Sequence, residues 1–239
     1  MATGAPIRMT TAPRPMTMTM TATMTATMTT DVLTLSQLLS PSFPVGAFAY
    51  SHGLETAISE GRILSAPTLQ SWLMDLLEHG GARSDAVLLN AAFGAADDLV
   101  QPLDAHARAF AASAERLRET DLQGAAFCET VETVWGIALG RLCYPVAVGR
   151  AAAILALDPE LTSAMYLQSF IANLTAAAMR LVPLGQLEGQ KTQIALKQHC
   201  AAIAKQLQGA TLDDLHNSAW MSDITSMRHE TQYSRIFRT

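Results

Sequence analysis

The sequence predicts an all-α, single-domain helical bundle, preceded by a low-complexity N-terminal tail and followed by a partner-docking C-terminal tail. Three observations predict it. Alanine and leucine carry the apolar fraction while β-branched and aromatic residues are sparse, which favours helices packed on helices over a sheet. Apolar residues recur at helical spacing along most of the chain, and no segment alternates as a half-buried strand does. At 239 residues the chain is long enough for one substantial core. The boundaries this reading sets are 1–32 for a disordered Met/Thr-rich tail, 33–221 for the helical domain and 222–239 for the C-terminal tail.

Residues 1–30 hold no acid, two arginines and a Met/Thr repeat that begins at Met16. A disordered or artefactually extended N-terminus, an organellar transit peptide and a methionine-rich metal tract are the three explanations. Composition favours the first, since transit peptides want more Arg and Ser and thioethers favour soft Cu(I). The globular part starts near Leu33. Pro44 and Gly46 fit a turn. Leu69, Trp72, Leu73, Leu76 and Leu77 then mark a helix, with Ser65 as its N-cap and Gly80 as its stop. Tyr144 to Leu157 reads as a helix with Pro145 in its first turn, and Asp158-Pro159 breaks the chain before the next. From Leu161, the residues Thr162, Tyr166, Ser169, Asn173 and Arg180 form a narrow polar stripe opposite Leu167, Phe170, Ile171, Leu174 and Leu181. Such a helix is mostly buried and central. From Gln186 to Leu207, Gln186, Gln190, Gln193 and Lys197 repeat at helical spacing, while Leu187, Ile194, Ile203 and Leu207 are read as the apolar side. Gly209 ends that helix, and Thr211 with Asp214 forms a capping pair for a short one after it.

A net charge of −5 gives no general attraction for phosphate backbones or anionic lipid, so neither nucleic acid nor membrane is expected as a partner, and a cytoplasmic protein fits. Leu161 to Met179 nearly has the length of a membrane span, but Gln168, Ser169 and Asn173 interrupt it. Cys128, Cys143 and Cys200 are too scattered for a zinc cage or a disulfide framework and read as buried thiols. No phosphate-binding glycine loop is present. His229-Glu230 begins like a zinc-protease motif, but Tyr233 stands where the second histidine belongs. Ser51 beside His52 permits an alternative, a small serine hydrolase, although adjacent side chains diverge and serve proton transfer poorly. For His52 the reading preferred over a ligand or base is a polar residue hydrogen-bonded at a helix start, because no second His or Cys clusters with it. Glu55 is either a solvated helix carboxylate or an interface anchor. No catalytic residue, resident metal or cofactor is expected.

The last eighteen residues, Ser222 to Thr239, switch from acid to base and end with Ile236 and Phe237 between Arg235 and Arg238. Termini fray. Keeping aromatic, apolar and arginine residues to the end of the sequence points to a docking surface, because such residues dominate interface hot spots. The tail is expected to be loose in the free chain and ordered on a partner. The competing reading has Ile236 and Phe237 tucked into the chain's own core.

Three blocks carry a family resemblance: Ser40 to Glu55 (SPSFPVGAFAYSHGLE), Arg180 to Gln190 (RLVPLGQLEGQ) and the tail itself. With Ser113 to Gly124 (SAERLRETDLQG), similar to a basic helix ending in glycine, and Tyr144 to Ala153 (YPVAVGRAAA), they make Leu33 to Thr239 resemble the UreF family of urease accessory proteins. The resemblance implies an all-helical, non-enzymatic chaperone that forms a homodimer and binds urease accessory protein D, called H in some organisms. Together they recruit the GTPase accessory protein G to the urease apoprotein, where the nickel metallocentre is assembled. Pro44, Gly46, Tyr50, Ser51, His52 and Glu55, with Arg180, Gln186, Gln190 and Gln193, are thereby expected to meet partners, the G protein above all. Met227, His229, Glu230, Tyr233, Arg235, Ile236, Phe237 and Arg238 are expected to meet accessory protein D.

Overall fold

The computed structural model describes Met1 and residues 17–239, with side chains at Met1 and from residue 28 onward. The low-complexity reading of residues 2–16 lies outside the described residues. Helix α1 (Thr17–Leu38) already covers the second half of the segment expected to be disordered. After Pro15 the Met/Thr/Ala repeat has no Pro or Gly to break a helix, and Met and Ala are strong helix formers. Its C-terminal end is anchored by Leu35 and Leu38, both fully buried.

The chain continues through α2 (Leu54–Ser59), α3 (Ala66–His79), α4 (Gly81–Gly94), α5 (Val100–Ala109) and α6 (Ala114–Trp135). It ends with α7 (Tyr144–Ile154), α8 (Pro159–Leu181), α9 (Gln186–Gln206) and α10 (Trp220–His229), and no strand occurs among the described residues. The caps follow the local chemistry. Ser65 and Thr68 form a capping box at the start of α3, and Gly80 closes that helix. Pro145 sits in the first turn of α7, and the Asp158 carboxylate accepts the Leu161 N–H at 2.6 Å to start α8. Thr211 and Asp214 cap a single 3-10 turn, as their spacing predicts.

Helix α8 is central, packing against α9, α4, α2, α3 and α7. Its apolar side feeds a core with α2, α3 and α9 through Leu167, Ile171 and Leu174, while Tyr166 joins a second core with α5, α6 and α7. The polar stripe of α8 is used as well. Ser169 donates to the Leu39 carbonyl at 3.1 Å, Asn173 to that of Ala47 at 3.0 Å, and Arg180 to that of Phe48 at 3.3 Å. The stripe thus straps the segment after α1 onto the bundle, satisfying the Leu39 and Phe48 carbonyls and adding a second donor to that of Ala47, which also accepts the Tyr50 N–H at 3.2 Å. No helix of the described residues is long and apolar enough to cross a membrane.

Two expectations are corrected. The helix expected to end at Gly124 runs on to Trp135, because this glycine serves close approach rather than termination: a Cβ there would lie 2.1 Å from the Leu142 carbonyl oxygen. On α9, Ile203 and Leu207 are buried, but Leu187 and Ile194 are 77% and 68% exposed. At 100° per residue the two pairs fall on opposite sides of the helix, so four apolar residues do not make one face.

Candidate functional site

The three sequence blocks meet in space. Following the strap from Ser40, the backbone turns through Pro44 and Gly46 into a 3-10 turn at Ala47–Ala49, leaving Pro44 and Phe48 exposed and Tyr50 buried. Gly53 then adopts φ 76° immediately before α2, and a Cβ on it would come within 2.6 Å of the Ser226 N. Only glycine lets α10 lie this close to the start of α2.

The C-terminal segment closes over that junction. The Glu55 carboxylate accepts the Ile236 N–H at 2.7 Å and the Phe237 N–H at 2.9 Å, and its Oε2 lies 3.3 Å from His229 Nε2. His229, fully buried, reaches Glu115 through Nδ1 at 2.6 Å, and Arg235 binds the same carboxylate at 2.5 Å. Ser51 donates its N–H and its hydroxyl to a main-chain oxygen of Thr239, and the Thr239 hydroxyl donates to Glu119 at 3.1 Å. Arg238 N–H pairs with the Ala49 carbonyl at 2.8 Å. Phe237, 3% exposed, enters the α2/α3/α8/α9 core, with the Arg180 guanidinium 4.7 Å above its ring.

Below this latch runs a buried charged network. His52 Nε2 lies 3.0 Å from Glu119, Arg116 bridges Glu119 at 2.9 Å and Asp85 at 3.4 Å, and Tyr166 donates to Asp85 at 2.9 Å. Burial pushes the Glu119 carboxyl up, but Arg116 and His52 outweigh that and hold it down at about 2. Burial prevails at Asp85, whose pKa is raised despite Arg116. Burial also disfavours the charged form of Arg116, yet the two acids beside it keep its pKa above the ordinary value.

These contacts correct the expectation that Ser222 to Thr239 is loose in the free chain. The competing reading holds for Phe237, which packs in the chain's own core, whereas Ile236 and Tyr233 face solvent at 63% and 104% exposure. A buried His229 and Glu55, each paired within the molecule, are internal supports here rather than exposed partner contacts. Glu230 Oε1 accepts the Ala114 N–H at 2.8 Å at the start of α6, and Met227 is exposed on α10. Gln186 and Gln190 are exposed, while Gln193 turns toward Gln168 at 3.5 Å. The Ser51/His52 pair is not arranged for hydrolysis, since the Ser51 hydroxyl donates to a main-chain oxygen of Thr239 and not to the imidazole. His52 takes the role preferred for it, at the entry to α2, with φ 53°.

Sequence reading missed Glu115, Arg116, Glu119, Asp85 and Thr239. The first three lie in the block read as a basic helix, and the signal was present: Glu115 and Glu119 are one turn apart and share a face with Arg116 between them. The cysteines are buried, as their scattering predicts. Among the described residues no group of three or more His, Cys, Asp or Glu side chains is placed to hold a metal ion.

Beside the latch lies an open groove of about 470 Å³ lined by Tyr50, Arg118, Leu122, Arg235 and Arg238, among others. Along α10, Trp220, Ile224 and Met227 stand outward at helical spacing, 76%, 38% and 52% exposed. Fold and site together define an all-helical scaffold whose most distinctive residues lock its own C-terminal segment in place and leave an apolar, arginine-flanked surface around it. The UreF family model matches residues 63–197, and the chain belongs to the UreF family. It is 53% identical to the urease accessory protein UreF of Roseobacter denitrificans, over 87% of this chain and 93% of that protein. Its identity to the protein of the same name from Ruegeria pomeroyi is 49%, over 87% of this chain and 96% of the relative. With that of Ruegeria sp. strain TM1040 it shares 53%, over 87% and 97%.

Proposed function

We propose that this chain is a non-enzymatic accessory chaperone of urease maturation. It forms a homodimer, binds accessory protein D/H through the C-terminal region, and with it recruits the GTPase accessory protein G to apo-urease during assembly of the nickel centre. Family membership supports the urease role. The carrying observation for the docking role is the C-terminal region, which buries Phe237 as an internal anchor while Tyr233 and Ile236, and Trp220, Ile224 and Met227 of α10, are exposed to solvent. Exposed aromatic and aliphatic residues on a rigid support meet a partner without first losing chain entropy. Arg118 and Arg238 line the groove beside them and, among the described residues, pair with no carboxylate, which suits acidic or carbonyl groups of a partner. Gln186 and Gln190, exposed in the first turns of α9, are the proposed G-protein side, where amides hydrogen-bond at lower desolvation cost than ions.

Tagged protein purified from cells that express a urease operon tests this reading. Accessory proteins D and G are expected to co-purify, with G lost when D is absent. Purified chain that captures neither, or that hydrolyses GTP or an acyl ester after removal of its partners, contradicts the proposal.

A further inference from the structure

All three lysines of this chain, Lys191, Lys197 and Lys205, lie on α9, and after Glu188 that helix contains no acid. The opposite side of α9 is packed: Gly189, Thr192, Leu196, Cys200 and Ile203 are buried against α8 and α3. What remains is one solvent stripe in which Leu187, Lys191, Ile194, Gln198 and Lys205 follow each other at helical spacing, all exposed. It extends about 27 Å at the usual helical rise. None of the three ammonium groups is paired with a carboxylate among the described residues; the nearby acid Glu78 faces His199 on the flank toward α3, at 4.0 Å. Two large exposed aliphatic side chains share the stripe with two unpaired lysines, whose charge is opposite in sign to the net −5 of the chain.

We infer that this stripe of α9 docks an acidic amphipathic helix of a partner protein, its apolar residues on Leu187 and Ile194 and its carboxylates on Lys191 and Lys205. The length of the stripe matches about five turns of a facing helix. Charge complementarity selects the occupant: the stripe of a second copy would bring the same lysines and no carboxylate to meet them, since α9 holds no acid after Glu188. Nucleic acid is a poor match, because three cations over this length neutralise few of the phosphates that a duplex places every ~1.7 Å along its axis, and the two aliphatic residues would have nothing to do. The inference rests on the reading of the chain as part of a multiprotein assembly and adds a face distinct from the C-terminal segment and its groove.

Carbodiimide coupling, which joins amines to carboxylates in direct contact, is the test. Because every lysine is on α9, any lysine adduct of this chain reports this helix alone. In the complex assembled from this chain with accessory proteins D and G and apo-urease, Lys191 and Lys205 are expected to couple to Asp or Glu residues of one partner segment. Ile194→Glu, at an exposed site, is expected to leave the melting temperature unchanged and to lower the adduct yield about tenfold. A complex that forms normally while its lysines couple to nothing, or only to a second copy of this chain, overturns the inference and leaves the assembly reading standing. If no complex forms, both fall together.

Discussion

The Glu55 carboxylate accepts the backbone N–H of Phe237 at 2.9 Å across 182 positions of sequence, while its other oxygen accepts that of Ile236. One side chain from the loop-to-α2 junction thereby fixes the end of the chain. With His229 as a third partner, the buried Glu55 carboxylate is occupied inside the molecule, an internal support rather than the solvated carboxylate or the interface anchor that the sequence suggests.

Glu55→Ala is therefore expected to destabilise the fold rather than simply to weaken partner recruitment. It leaves the buried Phe237 N–H, the part-buried Ile236 N–H and the buried His229 without their acceptor, a loss of about 3–5 kcal/mol by analogy with broken buried pairs. Denaturant unfolding measures it. Glu55→Gln, which keeps an acceptor, is expected to lose clearly less.

Much of this fold was legible in the sequence, and its limits are physical. Ser65, Gly80, Pro145 and Asp158 act locally, so their caps are readable from neighbours in the chain. The C-terminal latch was not readable, because Ser51, Glu55 and Glu119 find their partners more than a hundred residues away and no local pattern encodes that pairing. Residue type alone points Leu187 and Ile194 inward, whereas their angular position around α9 sets them apart from Ile203. The three blocks do meet in space, since Glu55 of the first and Arg180 of the second both contact Phe237 of the third.

The buried network gives a pH signature. Glu119 has a folded pKa of about 2, below its ordinary 4.5, so its contribution to stability is present above the ordinary value and disappears as pH falls through the folded one. The linkage amounts to roughly 3 kcal/mol. Glu119→Gln is expected to lower stability most at neutral pH, with the difference from the parent protein shrinking toward pH 2. Asp85 has the opposite sign: its raised pKa favours the fold below its ordinary value, and that contribution is lost as pH rises through the folded one. Urea titrations at several pH values separate the two.

Gly53→Ala is expected to undock α10. The added methyl would lie 2.6 Å from the Ser226 N in a left-handed backbone conformation, a combined loss of roughly 2–4 kcal/mol. Limited proteolysis is the readout, with faster cleavage after Ser222 than in the parent protein.

Phe237→Ala and Ile236→Ala are neighbours with opposite expectations. The first opens a cavity in the core and is expected to lose about 3–5 kcal/mol, while the second, at an exposed position, stays within about 0.5 kcal/mol. Thermal melts of the two proteins side by side decide it. Equal destabilisation would mean that both side chains pack inward.

The C-terminal segment is locked onto its own domain, and in our proposal it displays Tyr233 and Ile236 to accessory protein D. Titration of accessory protein D into the Tyr233→Ala, Ile236→Glu double variant, next to the parent protein, tests it most directly. An unchanged melting temperature and affinity weakened at least about tenfold are expected. Parent-like affinity in a variant that remains folded would contradict it.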